Sequence, residues 1–425
     1  MNISDIKNLI AQGKFDNSFK LLYSETEQAK KRYISAADSF EKLYGNCESV
    51  RLFSAPGRTE IGGNHTDHQH GAVLAASVNL DVIAVVSLNN DGKIRIKSEG
   101  YSMDTIEADD FNARPQEKGR SAALIRGVCK RFSETGCKIS GFNAYTVSNV
   151  LKGSGLSSSA AFEVLLGNIL NGLFNDNRAD AAAIAKIGQF AEKEYFGKPC
   201  GLLDQMASAL GGFSFIDFGD PVNPVTESIK LDVNDFGYTL CVVDTGGNHA
   251  NLTQDYADIT VECRQISNAL GTEYLRDADT EKFYESICGL RKKFGDRAVL
   301  RAHHFFSEHE RVIKQREALK NGRFEDFLEL VNDSGDSSFD YLQNLYSISN
   351  TAEQGMPLGI ALTKRFLNGK GACRVHGGGF AGTIQCYIPT EQFEEYKVMI
   401  EKVFGQGSCS KLFIRPVGGY ELKSE

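Results

Sequence analysis

The chain has 425 residues, 41% of them hydrophobic and 24% charged, the composition of a soluble globular protein long enough for two domains. Its formal net charge of −8 argues against a general nucleic-acid or membrane-surface binder, so any bound nucleotide must find its positive partners locally or through a metal ion. No run approaches the roughly 18 apolar residues of a membrane span. Residues 1–31 lack a secretory pattern, and the 10 cysteines include no CxxC pair, which together indicate free thiols and a cytoplasmic protein.

Residues 1–39 read as an amphipathic helical extension ahead of the main domain. Residues 50–54 and 74–88 look like strands, the second run rich in Val, Ile and Ala. A further strand at 142–147 leads into Gly153-Ser154-Gly155-Leu156-Ser157-Ser158-Ser159-Ala160-Ala161. Phe162, Leu165, Leu166, Ile169, Leu170 and Leu173 follow at helical spacing, so this is a loop feeding a helix start. A second helix covers 180–196, a short one begins near Leu202, and 213–217 is a strand. Two of the chain's 8 prolines fall in 219–224, which reads as the approach to a domain boundary. Beyond it come a strand at 238–244, long helical patterns over 255–345, and closing strands at 372–376, 383–388 and 412–416. Interleaved strands and helices of this kind favour an α+β architecture in two lobes, 40–230 and 231–425.

Four constellations carry chemistry. A helix start presents free N–H groups and partial positive charge, so the serine loop suits a phosphate, with hydroxyls to donate or to ligate Mg²⁺. Taken alone it also reads as an ordinary serine-capped helix. The segment from Ala55 to His68 sets Arg58 and Asp67 among glycines and polar side chains between two strands, a density that suits a polyhydroxylated ligand or a solvated loop. Its histidines, His65 and His68 with nearby His70, have no cysteine beside them and do not read as a transition-metal site. Glu192 lies at the edge of the stripe of Ile184, Gly188, Ala191 and Tyr195, and a half-buried carboxylate calls for a partner, a metal or a catalytic role. Asp204 follows Cys200-Gly201 at the start of a short helix. Residues 377–382 formally match GxGxxG, but a strand follows where that fingerprint needs a helix, so they form a glycine-rich hairpin. The absence of GxxxxGK[ST] excludes a P-loop kinase.

Arg58 with His65-Thr66-Asp67, the serine loop, Cys200-Gly201-Leu202-Leu203-Asp204-Gln205 and the 377–382 glycines occur in the order and spacing of the galactokinases, members of the GHMP kinase superfamily. The segment from Phe40 to Gly45, and Arg301-Ala302-His303-His304 with Glu308, extend the resemblance from about residue 40 onward. It implies an N-terminal lobe like ribosomal protein S5 domain 2, a ferredoxin-like C-terminal lobe and a site between them. It also implies transfer of the γ-phosphoryl of Mg·ATP to the anomeric hydroxyl of galactose. Composition and charge point to a cytoplasmic protein without nucleic-acid or membrane partners, and leave the oligomeric state open with a monomer as the default. Asp204 would take or orient the hydroxyl proton, with Arg58 keeping it ionised. Gly153, Ser154, Gly155, Leu156, Ser157, Ser158 and Ser159 would form the ATP phosphate loop, and Ser159 with Glu192 would hold Mg²⁺. Asn64, His65, Asp67, Gly201, Tyr256, Gly378 and Gly379 would line the sugar, Tyr256 being placed by His249 seven residues before it.

Departures from the family pattern bear on the substrate. Asn64 stands where galactokinases carry Glu and Glu60 where they carry Asn, while Thr59 and Gly62 replace larger apolar residues. Loss of the negative charge at position 64 opens the alternative of a sugar with a C6 carboxylate, such as galacturonate. Ser121 falls where a Trp usually lies near adenine, and the chain has no Trp. His376 and Ala381 replace Thr and Gly in the third motif. A non-catalytic sugar sensor is the rival reading, and the intact serine loop, Asp204 and Arg58 favour the enzyme.

Overall fold

The computed structural model describes residues 1–150, 155–198, 200–247, 252–380 and 382–425. At its start Asn2 caps a helix: its side chain accepts from Asp5 N at 2.8 Å and Asp5 accepts from Asn2 N at 3.2 Å. Three helices follow, α1 (Ile3–Ala11), α2 (Asp16–Leu22) and α3 (Thr26–Tyr44). Ile3, Ile6 and Ile10 on α1 and Tyr33, Ala36, Ala37 and Phe40 on α3 are buried at helical spacing.

The next stretch runs β1 (Arg51–Gly62), β2 (Ala72–Leu88), β3 (Lys93–Ser98), β4 (Met103–Glu107), α4 (Ser121–Ser133), β5 (Phe142–Ser148), α5 (Ser158–Phe174), α6 (Ala181–Phe190), α7 (Leu203–Leu210), β6 (Phe213–Asp217) and β7 (Val225–Ile229). Strand β2 organises the sheet. One edge pairs β1, while the other pairs β5 through Val82 to Leu88 and β6 through Ala72 to Ala76. Alternate side chains serve different layers, as a period of two requires. Leu52, Ile83, Val85 and Tyr145 pack into the cluster of α1–α3, whereas Phe53, Val82, Ala84, Val86 and Ala144 join the core beneath α4–α7. Burial on both faces explains the apolar run from Val82 to Val86 in β2.

The remainder runs β8 (Tyr238–Asp244), α8 (Thr253–Leu270), α9 (Thr280–Phe294), α10 (Asp296–Lys320), α11 (Phe324–Ser337), α12 (Gly355–Leu367), β9 (Ala372–Val375), β10 (Thr383–Pro389), α13 (Phe393–Phe404), β11 (Cys409–Lys411) and β12 (Tyr420–Glu421). A second, antiparallel sheet has the order β11-β8-β10-β9. Strand β12 leaves it and pairs with β1 at the edge of the first sheet.

Residues 219–224 form the turn of the β6–β7 hairpin, which their Gly and Pro suit. One sequence expectation changes. Residues 412–416 form no ladder beyond a single bridge from Ile414 to Val78. Their polar groups go to partners on β2 and at the turn before β6: Phe413 N to the Asn79 side chain, Arg415 N to Ser77 O and Arg415 O to Gly212 N, and Pro416 has no N–H to offer.

Asp81, fully buried in β2, joins these parts. Its carboxylate accepts from Tyr23 and Ser54 hydroxyls at 2.5 Å each, pairs with Arg32 of α3, and lies 3.3 Å from Arg415 Nη1. Arg32 also donates to the carbonyls of Asp81 and Val147 at 3.0 Å each, tying the helical extension to β2 and β5.

Candidate active site

The described part of the serine loop closes on β1 and α7. Arg58 N donates to Leu156 O at 3.1 Å, and the Arg58 guanidinium donates to Gly155 O. Leu156 is fully buried. Ser157 adopts a left-handed conformation at φ 58°, which costs a residue with a Cβ roughly 1–2 kcal/mol. That bend turns its hydroxyl to donate to Asp204 Oδ2 at 2.5 Å and lets α5 begin at Ser158. Gly153 and Ser154 lie outside the described residues, as does His249.

Asp204 reaches the loop from the first turn of α7. Arg58 Nε donates to its Oδ1 at 2.8 Å, and Arg58 Nη2 lies 2.6 Å from the same oxygen. Burial works to raise the Asp204 pKa, but Arg58, Ser157 and Lys198 together hold it below the usual carboxylate range. Its side chain retains about a third of its exposure, at 36%, so a ligand can reach it. The site thus offers an ionised carboxylate beside a buried guanidinium at a helix N-terminus.

Glu192 enters from the turn after α6. There the chain widens into a π-helical stretch, Ala191–Phe196, which ends at Gly197 in a left-handed conformation, and the widening aims Glu192 inward. Its Oε1 accepts from Ser159 Oγ at 3.1 Å and Lys198 Nζ at 3.0 Å, and its Oε2 accepts from Gln205 Nε2 at 2.8 Å. Gln205 also donates to Oε2 of fully buried Glu163 at 2.9 Å, leaving Glu163 Oε1 and Gln205 Oε1 without partners. Two hard oxygen donors 3.1 Å apart, with unsatisfied buried oxygens behind them, fit a small divalent cation such as Mg²⁺.

A second group of side chains adjoins the first through Gly201. A Cβ there would lie 1.8 Å from Asp67 Oδ2, so only glycine leaves room for that carboxylate. His65 donates from Nε2 to Gly378 O at 2.9 Å, and burial, with His68 nearby, lowers its pKa to about 3, so the ring is neutral. The Tyr256 hydroxyl donates to Gly379 O at 2.8 Å, and burial pushes its pKa up to about 12. Gly379 has φ 81° and a Cβ there would meet Asn344 O at 2.1 Å. The third loop, a β9–β10 hairpin connection, is thereby seated on Asp67's neighbours.

Asn64 departs from the expected sugar contact. It is fully buried, donating to Glu60 Oε1 at 2.9 Å and Gly377 O at 2.7 Å and accepting from Asn344 Nδ2 at 2.7 Å. Glu60 in turn pairs with buried Arg374 at 2.8 Å. His376 packs between the Thr59 and Thr383 hydroxyls at 3.0 and 2.9 Å, beneath Gly155. Ser121 spends its hydroxyl on Asp104 at 2.6 Å.

Residues 38–88 match the galactokinase galactose-binding signature, and residues 123–212 match the GHMP kinases N terminal domain. A galactokinase of Actinobacillus pleuropneumoniae is 32% identical over 86% of this chain and 92% of its own length. The chain belongs to the galactokinase family. A galactokinase of Glaesserella parasuis is 31% identical over 85% of the chain and 91% of its own length. The solved structure of Lactococcus lactis galactokinase complexed with galactose superposes with a TM-score of 0.79, covering 92% of this chain and all of that one at 22% identity. The GHMP kinase fold, an ATP-dependent kinase fold, follows for this galactokinase family member.

Sequence reasoning missed Lys198, Gln205 and Glu163 as parts of the site, and Asn344 and Arg374 as its supports. Glu163 carried a signal: a carboxylate within the apolar helix that follows the serine loop. Asn344 and Arg374 carried none, because their partners are distant in sequence.

Proposed function

We propose that this protein is an ATP-dependent kinase that phosphorylates the anomeric hydroxyl of galactose. The carrying observation is the ionised Asp204 held by Arg58 and Ser157 at the N-terminus of α5, next to the Asp67, His65 and Tyr256 cluster. Asp204 Oδ2 accepts or orients the hydroxyl proton of the sugar, and Arg58 offsets negative charge as the phosphoryl moves. The N–H groups at the start of α5 and the loop from Gly153 to Ser159 hold phosphate oxygens. Ser159 and Glu192 would hold Mg²⁺, which would supply positive charge to offset that of the ATP phosphates. Asp67, His65, Gly201, Tyr256, Gly378 and Gly379 surround the sugar.

Galactose is favoured over galacturonate by the fate of Asn64. Its exchange with Glu60 keeps one carboxylate in the loop, buried against Arg374, and leaves no vacated negative charge at the sugar face. ADP release by the purified protein with Mg·ATP, compared across galactose, galacturonate, N-acetylgalactosamine and glucose, tests the reading. Galactose gives the fastest release. A faster rate with galacturonate overturns the substrate assignment, and sugar binding without ADP release favours a sensor.

A further inference from the structure

Lys198 reaches the Glu192 cluster from solvent. Its side chain is 58% exposed, whereas that of Glu192 is 3% exposed. Its ammonium takes Oε1, the same oxygen that Ser159 uses. The other oxygen accepts from Gln205, whose two N–H donors are divided between Glu192 and Glu163. An ammonium only donates, and a divalent cation between Ser159 and Glu192 needs the lone pairs that Lys198 occupies. Two positive centres that share one oxygen repel, so one displaces the other. The stem of Lys198 is four flexible methylenes on a loop that begins at Gly197 and leads to Asp204, so the displaced head stays within the phosphate region.

We propose that Lys198 is a further phosphate-binding residue that exchanges places with the divalent cation. In the nucleotide-free protein its ammonium neutralises Glu192. When metal–nucleotide binds, Lys198 gives up Glu192 Oε1 and donates to an oxygen of the phosphate chain. The inference rests on the reading of Ser159 and Glu192 as cation ligands.

The test uses Mn²⁺ alone as a probe, its binding to the nucleotide-free full-length protein followed by electron paramagnetic resonance, together with steady-state kinetics. Lys198→Gln tightens Mn²⁺ binding, since the competing charge is gone. It also raises KM for ATP by roughly ten- to a hundredfold, the loss of one charge-assisted hydrogen bond, with KM for the sugar unchanged. Lys198→Arg restores the KM for ATP. These opposite shifts separate an exchanging residue from a structural one, which would weaken both. Unchanged or weaker Mn²⁺ binding in Lys198→Gln, or an unchanged KM for ATP, overturns the proposal. Glu192→Gln separates the two levels: if it leaves Mn²⁺ binding intact, the cation reading itself fails. If it weakens Mn²⁺ while Lys198→Gln changes nothing, only the Lys198 inference falls.

Discussion

Replacing Asp81 by alanine removes the carboxylate on which the helical extension, β1 and the returning C-terminal segment converge. The side chain is fully buried, and so is Arg415, whose guanidinium then keeps its bonds to Ser54 and the Val417 and Gly418 carbonyls but loses its anion. A buried ion left without its partner costs about 3–5 kcal/mol. Arg32→Ala, by contrast, removes a partner whose side chain is 18% exposed, so water reaches what remains, and the lost hydrogen bonds amount to about 1–2 kcal/mol. Because the chain has 15 Tyr and no Trp, urea unfolding is best followed by tyrosine fluorescence and circular dichroism, with pulse proteolysis reporting release of α1–α3. The expected order is Asp81→Ala far below Arg32→Ala, which lies below the wild type. In the double variant the two losses fail to add, since both act on one ion pair. An unfolding midpoint for Asp81→Ala equal to that of the wild type, or equal losses for the two single variants, would refute the claim that Arg415 depends on this carboxylate.

Asp204→Ala lowers kcat by about two to four orders of magnitude with the circular dichroism spectrum unchanged, as read by ADP release. Because Arg58 helps hold the Asp204 pKa down, Asp204 stays ionised as pH falls through the usual carboxylate range; Arg58→Met moves the acid limb of the rate profile to higher pH. Glu308 is buried, which alone would raise its pKa, yet Arg311, His304 and Arg374 lower it from 4.5 to about 2. The stability it confers by receiving Gly63 N at 2.9 Å and Ser334 Oγ at 2.6 Å is therefore present above pH 4.5 and lost as pH falls toward about 2, a slope that Glu308→Gln abolishes in acid titrations of unfolding. Asn64→Glu sets a second buried carboxylate against Glu60 and lowers the melting temperature, and adding Glu60→Asn recovers much of the loss in the same thermal scan.

Much of the machinery was legible because its signals are local. The glycines, serines and apolar spacing of residues 153–173 specify a loop feeding a helix, and α5 begins at Ser158. Inward-facing Glu192 followed from the period of α6, although the π-helical widening that aims it did not. What escaped depends on contacts across the chain. Asn64 was read as facing a sugar, but it is claimed by Asn344, 280 residues away, and Ser338, 274 residues away. The apolar run of β2 announced a buried strand without saying that α1–α3 cover its second face. Residues 412–416 show the limits of composition: apolar character does not ensure a ladder when the backbone partners are divided between β2 and the turn at Gly212.

The pairing of β12 with β1 has a consequence for biosynthesis. A ribosome making about 5–20 residues per second needs roughly 20 to 70 seconds to go from the end of β1 to Tyr420. Throughout that interval the outer edge of β1 has unpaired N–H and C=O groups, a template for pairing with another nascent chain. Arg415, which closes the Asp81 cluster, is also missing until late. The first lobe is therefore translated early but completed late, and a chain halted before Tyr420 carries an open sheet edge into a crowded cell.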